Sequence, residues 1–261
     1  MPKRVRADEL LVERQLAENR SRARALIMAG RVRLGDQLIE KAGEQLSADA
    51  ELTVIEPARF VSRGGEKLDH ALHAFRIDVA GRVCADFGAS TGGFTDVLLQ
   101  RGAARVYAID VGYGQLDYLL RQDARVTVLE RTNIRYLESL PEPVDLVVID
   151  VSFISLRLIL PAALRLIKLE GRVVALIKPQ FEAGRKQVGK GGVVRDRKVH
   201  RGVLERVLTE AEEAGFVPAG LTRSPITGPA GNVEFLALLE REPAQAADRD
   251  RMIEAALEVR Q

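Results

Sequence analysis

Five ionisable side chains stand at the ends of successive apolar runs: Asp86, Asp110, Glu130, Asp150 and Lys178. A charge that closes an apolar strand is costly unless it is paired or used. The first acid opens a glycine-rich stretch, Asp86-Phe87-Gly88-Ala89-Ser90-Thr91-Gly92-Gly93-Phe94-Thr95. It follows Arg82-Val83-Cys84-Ala85 and leads into Val97-Leu98-Leu99. A strand, a glycine-rich turn and a helix start is how an α/β fold holds a nucleotide-like cofactor. Glycine lets the backbone turn tightly and lie against the ligand. No Gly-Lys-Ser/Thr follows, which excludes a phosphate-binding P-loop, and the glycine spacing does not fit the G-x-G-x-x-G of dinucleotide sites. An ordinary βα loop stays open on this motif alone.

The later strand ends are harder to assign to a cofactor. Val147-Val148-Ile149 ends in Asp150, and Ala175-Leu176-Ile177 ends in Lys178, before Pro179. Neighbouring strands lie about 4.8 Å apart, so these two side chains can meet. They form either a structural ion pair that closes the sheet or a working one. Lys67, beside Gly64-Gly65, is a candidate second cation, and Glu234, after Gly228-Pro229-Ala230-Gly231-Asn232-Val233, a candidate second acid.

The elements that must position these groups read as an α/β fold. Apolar runs at Val83–Ala85, Val106–Ile109, Val126–Leu129, Leu146–Ile149, Val173–Ile177 and Phe235–Leu239 alternate with helical segments. The helices fall at Ser62–Phe75 (capped by Ser62), Thr95–Arg101, Gln115–Arg121, Leu156–Ile167 and Lys198–Ala214. Continuous apolar runs between helices indicate a buried, doubly wound parallel sheet. Ligands in such sheets sit beyond the carboxyl ends of the strands. Residues 241–261 read as a charged tail with a helical stripe at Met252, Ala256 and Val259.

Residues 1–57 read as a separate small module, joined by a linker over 58–61 to a domain over 62–240. A first helix is expected at Ala7–Glu13, with Asp8 as its N-cap or first-turn acid. A second is expected at Arg22–Met28, capped by Ser21 and ended by Gly30. Val32–Leu34 and Leu52–Ile55 have strand character, and Gly35-Asp36 makes a turn between Leu34 and Gln37-Leu38-Ile39. Arg20, Arg22, Arg24, Arg31 and Arg33 stand between Glu18 and Asp36 with no acid among them, and Arg4 and Arg6 precede them. Solvated helix faces usually mix signs, whereas arginines of one sign favour phosphate contacts.

The net charge of the 261 residues is only +2, so the case for nucleic acid rests on this clustering rather than on the whole chain. One cysteine, Cys84, excludes an internal disulfide framework and fits a reducing cytoplasm. His70, His73 and His200 lack the further ligands of a metal site, so no metal is expected. No apolar stretch is long enough to span a bilayer, and the basic start lacks an apolar signal core. A cytoplasmic protein without a membrane partner is expected.

Several stretches carry family resemblances. The acids around the glycine-rich turn resemble the cofactor loop of S-adenosylmethionine-dependent methyltransferases, where the second acid would hold the ribose hydroxyls. This resemblance implies cofactor contacts from Asp86, Gly88, Ala89, Ser90, Gly92, Gly93, Phe94, Asp110, Asn133 and Asp150. Methylating a pyrimidine carbon normally needs a cysteine nucleophile, and Cys84 lies within the first strand, the wrong place. Exocyclic-amine methylation usually shows Asp/Asn-Pro-Pro after the fourth strand, and here that position reads Asp150-Val151-Ser152-Phe153. A ribose hydroxyl is a weak acid, for which a lysine of lowered pKa is a suitable base.

Ser21-Arg22-Ala23-Arg24-Ala25-Leu26-Ile27-Met28-Ala29-Gly30-Arg31-Val32 resembles the small RNA-binding domain named after ribosomal protein S-four. Lys67, Asp150, Lys178 and Glu234 are similar in order and context to the Lys-Asp-Lys-Glu set of the FtsJ-like ribose 2′-O-methyltransferases. The whole chain resembles the TlyA, or haemolysin-A-type, family, through Ser62–Leu68, Asp86–Thr95, Asp150–Ser155, Lys178–Glu182 and Lys190–Asp196. Phe60 departs from the larger aromatic expected there.

The resemblance implies a Rossmann-like, mostly parallel seven-stranded sheet with helices on both faces, preceded by an α+β RNA-binding domain. It also implies methyl transfer to the 2′-hydroxyl of a cytidine in ribosomal RNA. Lys178 would be the base or orienting cation and Asp150 would hold it, with Lys67 and Glu234 completing the network. Arg63 would join Arg4, Arg6 and the other arginines on the RNA. A non-catalytic ribosome-assembly factor is the rival reading; a membrane-lytic toxin has neither signal nor span to support it.

Overall fold

The computed structural model describes residues 4–55, 58–242 and 247–258. They divide between Arg59 and Phe60 into two compact units. The first holds strand β1 (Arg4–Arg6), helices α1 (Ala7–Glu13) and α2 (Arg20–Met28), and strands β2 (Val32–Leu34), β3 (Gln37–Leu38), β4 (Gln45–Ser47) and β5 (Leu52–Val54). Strand β2 lies between β3 and β5, while β1 pairs antiparallel with β4. Leu10, Leu11, Ala23, Ile27, Val32 and Ile39 form the core. Helix α2 starts two residues earlier than expected. Asn19, not Ser21, is the cap, its Oδ1 accepting from Arg22 N at 2.9 Å and satisfying one of the free first-turn donors. The β1–β4 pair left no signal in the sequence because three-residue strands are too short to show a period.

The second unit is built on a seven-stranded sheet. Its elements are α3 (Gly64–Ala74), β6 (Val83–Phe87), α4 (Gly93–Gln100), β7 (Arg105–Ile109), α5 (Tyr118–Gln122), β8 (Val126–Leu129), β9 (Val144–Ile149), α6 (Leu160–Leu166), β10 (Ile167–Ile177), α7 (Pro179–Glu182), α8 (Arg197–Glu213), β11 (Val217–Arg223), β12 (Phe235–Glu240) and α9 (Arg249–Leu257). The order across the sheet is β11-β12-β10-β9-β6-β7-β8. The five strands from β6 to β10 run parallel; β12 is reversed against β10, and β11 is reversed against β12. Two separate cores show that both faces are covered: α3 and α4 pack on one, and α6, α8 and α9 on the other.

Strand β11 was not legible as a strand. It carries Pro218 and Gly220, which a sheet edge tolerates and a central strand does not. Helix α3 begins at Gly64 without a side-chain cap, so Ser62 serves through its carbonyl, which accepts from Gly65 N at 3.0 Å. The helix expected over Leu156–Ile167 is a 3-10 turn followed by α6, with Pro161 in its first turn. The C-terminal helix α9 docks with Ile253, Ala256 and Leu257 buried, so the expected stripe is displaced from Met252 by one residue. Val259 lies outside the described residues.

Candidate active site

The carboxyl ends of β6, β9 and β10 close around a cavity of about 650 Å3, together with the start of α3 and the segment leading into β12. A second cavity, about 570 Å3, lies by Arg82, Asp145 and Arg172 at the amino ends of the strands. The rule for open α/β sheets selects the first.

Two glycines set its walls. Gly88 has φ +84°, and a Cβ there would stand 2.6 Å from the Asp150 carbonyl oxygen. The loop after β6 therefore crosses the end of β9 at a distance only glycine permits. A Cβ on Gly93 would lie 3.0 Å from Gly65 N, so the starts of α3 and α4 touch. That contact carries Lys67, in the first turns of α3, to the cavity wall.

Strand register brings the four expected catalytic groups together. In β10 and β12 Ile177 pairs with Phe235, which sets Lys178 level with Glu234. In β9 and β10 Ile149 pairs with Ala175, so Asp150 and Lys178 extend neighbouring strands. The groups form two ion pairs. Lys178 Nζ lies 2.6 Å from Asp150 Oδ1, outside hydrogen-bond alignment, and donates to Ser152 Oγ at 2.8 Å. Lys67 Nζ lies 2.6 Å from Glu234 Oε2, and both residues are buried. Gln180 Nε2 donates to the other Glu234 oxygen at 3.4 Å.

Gly88, Ala89, Ser90, Gly93, Phe94 and Asp150 line this cavity. Gly92 (φ +99°) is the N-cap of α4 and packs toward Leu116 and Leu120 instead. Asp110 ends β7, where its Oδ2 accepts from Ser90 N at 2.9 Å and its Oδ1 from Gly112 N at 2.7 Å. Each oxygen keeps acceptor capacity for a hydroxyl. Asp110 and Glu130 line a narrow cleft that shares Ala89 and Ser90 with the cavity. Glu130 is held by Arg121 and by Gly114 N. Asn133 is turned to its own backbone, accepting from Arg135 N at 3.2 Å.

Asp86 lies beneath the loop rather than in the cavity wall. It is fully buried; Oδ2 accepts from Thr95 Oγ1 at 2.7 Å, and Oδ1 has no hydrogen-bond partner among the described residues. Burial pushes its carboxyl up to about 7, with Asp150 and Asp110 adding and the Thr95 bond opposing. A raised carboxyl pKa favours the folded state below the unfolded value of 3.8, and that contribution fades as pH climbs to about 7. Asp86→Asn removes the titration. Its stability relative to the parent should rise with pH between these values, by about 1.4 kcal/mol per unit at most. A stability difference that stays flat from pH 4 to 8 in thermal unfolding would refute this.

Ser152, Gln180, Phe153, Phe181 and Asn232 also line the cavity, and none of them was singled out by reading along the chain. Ser152 and Gln180 stand two residues beyond Asp150 and Lys178, close enough to the strand ends to have been read. Phe153 has φ +63°, is 89% exposed, and meets Phe181 with ring centroids 4.8 Å apart.

The expected RNA-binding arginines divide. Arg4, Arg22 and Arg33 are exposed on the first unit, and Arg31 is half-buried. Arg6, Arg20 and Arg24 converge on Asp8, an acid that lies upstream of the stretch in which none was seen. Arg63 belongs to the second unit, at the cavity, and donates to the Thr227 carbonyl at 3.0 Å.

A family model described as FtsJ-like methyltransferase matches residues 60–241, and one described as S4 domain matches residues 5–52. The 16S/23S rRNA (cytidine-2′-O)-methyltransferase TlyA of Mycobacterium tuberculosis is 49% identical over 250 residues, covering 94% of this chain and 93% of its own. YqxC of Bacillus subtilis, named as a candidate rRNA methyltransferase, is 52% identical over 241 residues, 90% of this chain and 85% of that one. A solved structure from Streptococcus thermophilus, described as a hemolysin candidate, superposes with a TM-score of 0.74 at 45% identity, covering 98% of this chain and 95% of that chain. The chain belongs to the FtsJ-like methyltransferases, in the TlyA family that joins an S4 domain to that catalytic domain.

Proposed function

We propose that this protein transfers a methyl group from S-adenosylmethionine to a ribose 2′-hydroxyl of cytidine in ribosomal RNA. The observation that carries the reading is the double ion pair, Lys178–Asp150 and Lys67–Glu234, beside the glycine-rich loop. The donor set fits the cofactor: a backbone loop that no side chain could replace at Gly88, and an acid, Asp110, with lone pairs left for ribose hydroxyls. When bound, S-adenosylmethionine supplies a methyl group on a sulfonium, which leaves as a neutral thioether.

The chain's own residues then have a short task. Asp150 and Ser152 fix Lys178 Nζ where it meets the acceptor hydroxyl. As the new C–O bond forms and the C–S bond breaks, the hydroxyl proton is taken up by the Lys178–Asp150 pair, in which Lys178 meets the oxygen. Lys67 and Glu234 continue the wall beside it, Glu234 level with Lys178. General base catalysis of this kind contributes about 10²–10⁴-fold, and fixing the hydroxyl in line contributes further. The exposed Phe153 ring, packed against half-buried Phe181, offers an apolar face for a base lifted from its stack.

The test is incubation with labelled S-adenosylmethionine and unmodified ribosomal subunits, followed by nuclease digestion and mass spectrometry. Label on a ribose 2′-oxygen of a cytidine is expected. Transfer to a base, or no transfer to either subunit by protein that binds the cofactor, would overturn the reading.

A further inference from the structure

The arginine-bearing face of the first unit is built around an acid. Asp8, in the first turn of α1, is fully buried, and its backbone N–H donates to the Ala42 carbonyl at 3.1 Å. Its carboxylate receives Arg6 at two points, Nε to Oδ1 and Nη2 to Oδ2, each 3.0 Å. Oδ2 also receives Arg20 Nη2 at 3.3 Å and Arg24 Nε at 3.1 Å. These four donors use about all the acceptor sites a carboxylate has. The bonds hold its carboxyl well below the usual range, the Arg6 contact contributing most. Glu9 takes Arg20 Nη1 at 3.2 Å. Three cations against two anions leave the cluster net positive.

Arg6 and Arg24 are gripped through Nε, and Arg20 through its terminal nitrogens. The Arg20 and Arg24 side chains remain 49% and 54% exposed. Among the described residues, Arg24 bonds only through Nε, leaving both terminal nitrogens for an outside anion. Arg6 Nη1 lies against Gly43, where a Cβ would stand 3.0 Å away. A guanidinium already held in one rotamer loses less freedom when its outer edge meets a phosphate.

We propose that Asp8 is a positioning residue for RNA: it fans Arg6, Arg20 and Arg24 outward in fixed orientations for the phosphate backbone. This rests on the RNA-binding reading of the first unit. Bulk electrostatics gives the opposite sign. Removing an acid from a phosphate-binding face should tighten binding. Asp8→Asn adds one unit of positive charge, and the proposal requires it to weaken binding nonetheless.

The experiment uses the full chain with protein-free, unmodified ribosomal RNA. The affinity of Asp8→Asn should fall about tenfold and its log–log salt slope should flatten by about one phosphate contact. KM for RNA should rise with kcat at saturating RNA unchanged. Glu9→Gln removes the half-buried acid beside the cluster but leaves the four bonds to Asp8 in place, so it should bind as tightly as the parent or more so. In an Arg24→Gln background the Asp8→Asn penalty should shrink; a merely structural Asp8 would leave it unchanged. If Asp8→Asn fails to fold, Arg24→Lys decides. It keeps the charge but not the planar fork, and it should lose most of what Arg24→Gln loses. Parent-like or tighter binding by Asp8→Asn, or by Arg24→Lys, overturns the proposal alone. A parent chain that does not bind this RNA overturns the RNA reading of the unit as well.

Discussion

Lys178→Ala is expected to lower kcat for methyl transfer by about 10²–10⁴-fold, the usual contribution of a placed general base, with cofactor affinity nearly unchanged. The reason is positional. Lys178 follows the last residue of β10, 2.6 Å from Asp150 Oδ1 and 2.8 Å from Ser152 Oγ, on the wall of the cavity that the glycine-rich loop also lines. Removing it takes away the group nearest an acceptor hydroxyl without touching Gly88, Ala89 or Asp110. Lys178→Arg separates the two roles a lysine could have. An arginine keeps the positive charge and can still orient an oxygen, but it does not give up its proton. If Lys178 takes the proton, Lys178→Arg is as slow as Lys178→Ala. If it only orients, arginine restores much of the rate. Cofactor binding is read by calorimetry and turnover by label transfer. Full turnover by Lys178→Ala with cofactor bound would remove Lys178 from the chemistry. Asp150→Asn should act through the same group, so its loss and that of Lys178→Ala should not add.

The parts of this fold that burial controls were readable in the chain, and the parts that geometry controls were not. β6, β7, β9 and β12 are buried along most of their length, so each appears as a mainly apolar run. The acids and lysine that close those runs stood out because charge is rare at the end of a buried strand. β11, with Pro218 and Gly220 at the sheet edge, had no such contrast. Pairing is likewise invisible along the chain. That Lys178 meets Asp150, and Lys67 meets Glu234, follows from strand register and from the glycine contact between α3 and α4. The Asp8 cluster failed to appear for a related reason. Its acid is on α1 and two of its arginines are on α2, so a count of charges along one segment sees only the arginines. The cofactor loop shows the same division. Its glycines were evident, but Gly92 serves the helix start and Asp86 lies beneath the loop, and only the folded path separates them from Gly88 and Gly93.

Glu234→Ala should destabilise the second unit by about 3–5 kcal/mol, the usual cost of stranding one member of a buried ion pair. Glu234 is 1% and Lys67 7% exposed, so the ammonium left behind would have little access to water. Gln180 would lose an acceptor as well. For a domain of this size the loss corresponds to a fall in Tm of about 10 °C. Exchanging both partners, Lys67→Met with Glu234→Leu, removes the stranded charge. Apolar replacements of buried pairs are often neutral or stabilising, so the double variant should recover most of the Tm. It should not recover methyl transfer, because the cavity wall beside Lys178 would have lost both its donor and its acceptor. Thermal unfolding and turnover, measured on the same preparations, therefore move apart. A double variant that is both stable and fully active would make the pair a staple of the fold and leave Lys178 and Asp150 to act without it. A Glu234→Ala variant as stable as the parent would mean that Lys67 finds water or another partner. The pair would then be worth no more than a surface salt bridge, about 0–1 kcal/mol.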